Sequence, residues 1–149
     1  YENILRLIAS KYTKRIALFI TFDNPLAHLI YAGCDMFLMP SRFEPCGLGQ
    51  LIAMRYGALP IVHHTGGLID TVPELTPDFS QGNGFTFKDY TPEALIGAVI
   101  GATEAFSNKE AWQQVQQRIM RIDFSWQASA RKYEAIYQRV LEQRKHAQS

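Results

Sequence analysis

The feature that most restricts the fold is a strict alternation, over the first two thirds of the chain, of short apolar runs with amphipathic segments. Residues 15–20 (RIALFI), 35–39 (DMFLM), 59–62 (LPIV) and 84–87 (GFTF) have the length and content of strands. Residues 25–32, 48–56 and 67–72 read as helices between them. Asn24 is the expected N-cap of the first, with Pro25 at its first helical position and Gly33 at its end. Gly57 closes the second helix, and Pro73 stops the third. Strand and helix in strict turn imply parallel strands joined by crossover helices. The near-continuous apolar character of the runs fits a sheet covered on both faces. Pro60 falls near the start of its strand, where a missing N–H costs least. The expected fold is therefore α/β: a Rossmann-like open parallel sheet with flanking helices.

The last third is helical. Thr91 as N-cap and Pro92 behind it start a helix carrying Leu95, Val99 and Ala102 on one face. Residues 109–120 and 126–143 form two more, the last capped by Ser125. Tyr133, Ile136, Tyr137, Val140 and Leu141 give that helix an apolar stripe, most simply core, and residues from Arg144 onward are expected to fray. Residues 73–83 form a polar loop, and no repeat or low-complexity tract is visible. The whole, residues 1–149, is expected to be one domain.

Charge and cysteine content exclude several functions. A net charge of +1 gives no field for nucleic acid, so anion binding has to come from local geometry. Cys34 and Cys46 form no CxxC pair and no zinc spacing, and read as reduced thiols. No apolar run has membrane-spanning length, and residues 1–10 lack the ordered segments of a signal peptide.

Ligands of parallel α/β sheets bind beyond the carboxyl ends of the strands. Two loops there are unusual. The first, PSRFEPCGLG over residues 40–49, places Glu44 before Pro45, which pushes its backbone toward an extended conformation. Gly47 and Gly49 permit close backbone approach, and the N–H groups from Cys46 to Gln50 are the unpaired donors of a helix start, suited to phosphate or sugar oxygens. A plain structural loop with a surface glutamate fits this spacing equally well. In the second, HHTGGL over residues 63–68, Thr65 is a cap candidate and Gly66 with Gly67 a candidate anion-binding nest. Together the loops suggest a ligand with a charged diphosphate and a neutral polyhydroxyl part. Neither GxGxxG nor GxxxxGK[ST] occurs, which disfavours the usual dinucleotide and P-loop sites.

The run AGCDMFLMPSRFEPCGL (residues 32–48) resembles bacterial and plant glycogen/starch synthases. So do Gln50 and Leu51, AMRYG at 53–57, PIV at 60–62, TGGLIDTV at 65–72 and DFSW at 123–126. The resemblance spans essentially the whole chain. It implies a GT-B fold, two Rossmann-like domains facing a cleft, with this chain most of the C-terminal one and the acceptor domain outside it. The implied reaction is retaining transfer of glucose from ADP-glucose or UDP-glucose to the non-reducing end of an α-1,4-glucan, with no metal or other cofactor. Glu44 corresponds to the acidic residue beside the donor glucose, there to bind a hydroxyl and stabilise positive charge on the anomeric carbon. By the same resemblance Cys46 and Gly47 hold glucose hydroxyls through their N–H groups, and Leu48 and Gly49 meet the diphosphate. Phe22 stacks on the base, and Thr65, Gly66 and Gly67 line the cleft wall. The implied partners are a nucleotide sugar and, through the other domain, the glucan, with no nucleic acid and no membrane. The implied compartment is a bacterial cytoplasm or a plastid stroma.

Two departures stand out. Gly49 occupies a position where many relatives have Thr, a change worth about 0.5–1.5 kcal/mol if one hydrogen bond is lost, or up to about 3 kcal/mol if that bond is to a charged oxygen. The Arg and Lys that grip the diphosphate in the family precede this stretch, and Arg6, Lys11, Lys14 and Arg15 are not in that motif. The chain alone is therefore expected to be inactive. Another retaining GT-B transferase and a noncatalytic nucleotide- or glucan-binding module are the competing readings. Among the remaining residues, Phe22 also fits a strand-end core position, and His28 fits either a cleft contact or an ordinary helix histidine. Arg42 fits either a phosphate contact or a surface ion pair. Cys46 is expected to act through its backbone, His63 and His64 to be partly exposed, and Trp112 and Trp126 to anchor packing.

Overall fold

A computed structural model describes residues 1–146. It divides into two compact units, Tyr1–Ile30 and the chain from Tyr31 onward. In the first, helix α1 (Glu2–Lys11) carries an exposed Arg6–Glu2 ion pair at 2.7 Å, and no residue of α1 is buried. Residues 15–20 do not form the expected strand: the chain turns at Tyr12, whose carbonyl accepts from the N–H groups of Arg15 and Ile16, and then runs irregularly. Strand-forming content needs a partner to complete the ladder, and among the described residues no strand pairs with this run. Phe22 is 98% exposed, which overturns a core role for it. Helix α2 (Asn24–Gly33) begins one residue earlier than expected, because Asp23, not Asn24, supplies the cap: its Oδ1 accepts from the N–H of Leu26 at 2.9 Å.

The second unit is built on a three-stranded parallel sheet in the order β1 (Met36–Met39), β2 (Leu59–His63), β3 (Phe85–Phe87). Met36 pairs with Leu59 and Ile61 with Phe85. All five residues of the central strand are buried, including Pro60. Side chains alternate across a strand, and β2 shows it. Leu59 and Ile61 pack with Met54, Phe85, Trp112, Val115 and Ile119, whereas Val62 packs with Leu68 and Val72. The sheet is thus covered on both sides, as the apolar runs require.

Helix α3 (Gly49–Arg55) follows β1, and α4 (Gly67–Thr71) follows β2. Helices α5 (Pro92–Phe106) and α6 (Lys109–Ile119) close the larger core. Thr91 caps α5 through Ala94 N–H at 3.3 Å. Asn108 caps α6 through Ala111 N–H at 3.2 Å, and Ser125 caps α7 through Ala128 N–H at 3.2 Å. Trp112 is buried, edge-on to Phe106 with ring centroids 5.0 Å apart. Trp126 is 88% exposed and does not anchor packing among the described residues. Helix α7 (Trp126–His146) continues through Arg144 rather than fraying there, the rest of the expected tail, 147–149, lies outside the described residues, and the stripe of Tyr133, Ile136, Tyr137, Val140 and Leu141 is exposed instead of core. Periodicity marks one apolar face; it does not supply the surface that covers it.

Candidate functional site

The two loops singled out in the sequence leave the carboxyl ends of adjacent strands, β1 and β2, and they interlock. The N–H of Gly67 donates to the carbonyl of Glu44 at 3.0 Å. A Cβ on Gly66 would stand 2.1 Å from that same carbonyl oxygen, and one on Gly67 would stand 2.8 Å from Cys46 Cα and from the Pro45 carbonyl. Gly66 also has φ 49° and ψ −134°, a conformation essentially confined to glycine. The glycine pair is therefore where one turn lies against the backbone of the other. It is not the nest expected from the sequence, since the N–H of Gly67 is already used by Glu44. Thr65 does not cap α4. Gly66 is the N-cap, and Thr65 contributes its carbonyl to the N–H of Leu68 at 3.1 Å.

Glu44 is half-buried, with the hydroxyl of Ser41 donating to its Oε2 at 3.3 Å. Its main-chain carbonyl accepts from the N–H of Gly67 at the start of α4, so the residue is anchored at the backbone. Behind it, His63 is buried, contrary to expectation, with Nδ1 2.9 Å from the Ser41 carbonyl and Nε2 3.2 Å from the Lys88 carbonyl. Each ring nitrogen thus has a carbonyl acceptor within reach. The ring is packed by Phe87 and Tyr90, with centroids at 5.3 and 5.0 Å, and the Tyr90 hydroxyl donates to the Pro40 carbonyl at 3.3 Å. One histidine thus ties the exits of all three strands together.

Within the first loop, Gly47 has φ 74°. None of the N–H groups of Cys46, Gly47, Leu48 and Gly49 has an acceptor among the described residues. These are the donors the sequence assigns to a ligand. Gln50 lies behind them, fully buried. Its Nε2 stands 3.1 Å from the Cys46 carbonyl, 3.0 Å from the Gly47 carbonyl and 3.1 Å from Thr71 Oγ1. Thr71 Oγ1 in turn donates to the Gly67 carbonyl at 2.8 Å. Gln50 Oε1 is buried with no donor among the described residues, a cost of about 1–3 kcal/mol. Reversing the amide would set its oxygen against two carbonyl oxygens, so the orientation stands on chemistry.

At Gly49, a Cβ would meet the Phe37 ring at 3.1 Å and the Tyr31 hydroxyl at 3.4 Å. Tyr31 and Phe37 pack with centroids 5.1 Å apart, and burial raises the pKa of the Tyr31 hydroxyl. Glycine at this position therefore accommodates a ring pair beneath the loop, a local reason for the departure noted in the sequence. Arg42 is exposed and takes part in neither ion pair found among the described residues. Phe22 and His28 belong to the first unit, both exposed. Cys46 is exposed, whereas Cys34 is half-buried and its thiol pKa is raised, first by burial. No cluster of three or more His, Cys, Asp or Glu able to hold a metal ion occurs among the described residues, and no described helix is long and apolar enough to cross a membrane. Gln50, Ser41 and His63 are the residues whose positional roles sequence reasoning missed. Only the polar character of Gln50 at a core-facing helix position could have signalled one of them.

A three-stranded parallel sheet with two interlocked turns at its carboxyl edge defines a Rossmann-like α/β class. The family model for Glycosyl transferases group 1 matches residues 1–117, and the chain belongs to that family. Within it, the chain is similar to glycogen synthases. It is 49% identical over 148 residues to that of Moorella thermoacetica, covering 99% of this chain and 30% of the relative. It is 51% identical over 141 residues to that of Geotalea daltonii, covering 95% and 29%. Among solved structures, the catalytic domain of starch synthase IV from Arabidopsis thaliana, bound to ADP and acarbose, superposes with a TM-score of 0.79. It is 38% identical, over 92% of this chain and 29% of that one. The chain spans about 30% of the length of the curated relatives it matches. The GT-B, Rossmann-like C-terminal architecture expected from the sequence is the one observed.

Proposed function

We propose that this chain is the donor-binding part of a glycogen/starch synthase, holding ADP-glucose or UDP-glucose at the carboxyl edge of β1 and β2. The observation that carries the reading is the interlock of the two turns, which sets a half-buried carboxylate, Glu44, beside a run of unpaired amides from Cys46 to Gly49. In this reading Cys46 and Gly47 donate to glucose hydroxyls, Leu48 and Gly49 to the diphosphate, and Thr65 to Gly67 form the wall. The family resemblance assigns Phe22 to stacking on the base.

The bond from the anomeric carbon to the phosphate oxygen breaks with its electron pair leaving on the diphosphate, and a bond to the incoming 4-hydroxyl oxygen forms on the same face. The hydroxyl proton passes to the departing phosphate. Positive charge grows on the sugar ring and negative charge on phosphate. The carboxylate of Glu44 faces the first, and the pre-oriented amides face the second. Because the chain spans about 30% of its relatives, the α-1,4-glucan is received outside it, and the isolated chain binds donor without transferring glucose. A bacterial cytoplasm or plastid stroma is the compartment that suits this role.

Calorimetric titration of the chain with ADP, UDP and malto-oligosaccharides tests the reading. Nucleotide binding that weakens in Phe22→Ala is the expected result. Binding of oligosaccharide alone would replace it with a glucan-binding module, and glucan-dependent release of ADP or UDP by the chain would overturn its inactivity.

A further inference from the structure

We infer that Gln50 is the positioning residue of this site: it aims the amides of Gly47 and Leu48 outward and couples the first turn to the second through Thr71. The inference rests on the donor-site reading for its functional meaning, but its geometry stands alone. The peptide bonds here are trans, and in a planar trans peptide the C=O and N–H point in opposite directions. The carbonyls of Cys46 and Gly47 both converge on Gln50 Nε2, at 3.1 and 3.0 Å. The N–H groups sharing those two peptide planes, those of Gly47 and Leu48, therefore point away from the buried amide. Gln50 fixes their direction from behind while remaining inaccessible to any ligand.

Two further observations tie the geometry together. Gly47 is required for it: a Cβ there would lie 2.5 Å from Gln50 Oε1, at a φ of 74° that other residues rarely adopt. The same Nε2 reaches Thr71 Oγ1, which donates to the Gly67 carbonyl, so the relay crosses from the first turn to α4. A buried amide with an orphan oxygen is a poor device for stability. Its three contacts through one nitrogen suit orientation instead.

Gln50→Met separates the two roles, because it keeps the volume, removes the orphan oxygen and removes both N–H donors. The variant is expected to unfold at the same temperature as the parent or higher. In the ligand-free chain, the N–H order parameters of Gly47 and Leu48 should fall from about 0.85 to below about 0.6 while those of β2 hold. ADP affinity should weaken about tenfold or more. Thr71→Val should reproduce part of the loss, and Thr71→Ser should restore it. Unchanged amide order in Gln50→Met, or loosening spread evenly over the unit, overturns the inference. If the parent chain binds neither ADP nor UDP, the donor-site reading falls, and the amide measurement still judges Gln50.

Discussion

Replacing Gly66 by alanine puts the interlock of the two turns to the sharpest test. The added Cβ would sit 2.1 Å from the Glu44 carbonyl oxygen and 2.9 Å from its carbon. Non-bonded heavy atoms rest at roughly 3.5–4.0 Å, so the turns have to separate by about 1 Å or more. Holding a non-glycine residue at φ 49°, ψ −134° costs about 1–3 kcal/mol. Losing the Gly67 N–H to Glu44 bond adds about 0.5–1.5 kcal/mol. Together that is about 1.5–4.5 kcal/mol, a large share of the about 5–15 kcal/mol that holds a domain folded. The measurement is urea unfolding of the parent, Gly66→Ala and a control, Gly97→Ala. Gly97 lies within α5, and a Cβ there would have no neighbour within 4 Å. Alanine at that position should stabilise by up to about 1 kcal/mol through helix propensity. The two substitutions, identical in chemistry, should move stability in opposite directions. Gly66→Ala within about 0.5 kcal/mol of the parent would show that the turns are not locked by their backbones, and the placement of Glu44 would lose its foundation.

Other outcomes follow from the same structure. Trp112→Ala should destabilise by about 3–5 kcal/mol, and Trp126→Ala should change stability by less than about 0.5 kcal/mol, both read by denaturant unfolding. Asn108→Ala should cost about 1 kcal/mol by removing the cap of α6, again measured by unfolding. The Asp78 carboxyl is lowered from 3.8 to about 2, first by the Thr76 hydroxyl and then by the N–H and hydroxyl of Ser80. A depressed carboxylate favours the folded loop above its ordinary pKa, and that contribution disappears as pH falls from about 4 through about 2. A carbon-13 titration of the side chain with a midpoint near 3.8 would contradict this.

Much of the fold is legible because β2 announces itself. LPIVH is apolar on both sides, and a strand that packs Ile61 one way and Val62 the other has to be central. Residues 15–20 have similar content and are not a strand, because pairing is a property of two segments and composition describes one. Asp23 and Asn24 are adjacent cap formers, and only the side-chain geometry chooses between them. The exposed stripe on α7 shows the same limit: spacing locates an apolar face without saying what meets it. At the site, the glycines were legible as important but for another reason. They read as ligand-facing, yet Gly66 and Gly67 serve first to let two backbones touch. His63 and Gln50 were illegible as keystones, since their partners lie up to 25 and 21 residues away, on elements brought together only by the sheet.

The contact between the turns also bears on inheritance and on engineering. Where Gly66 and Gly67 meet Glu44, Pro45 and Cys46 the contact is backbone against backbone, so neither glycine has a side chain that could adjust to a changed neighbour. Altering one turn shifts the mould for the other, so the segments after β1 and β2 transplant as a pair. A chimera that borrows only one of them from a distant relative inherits a lock without its key.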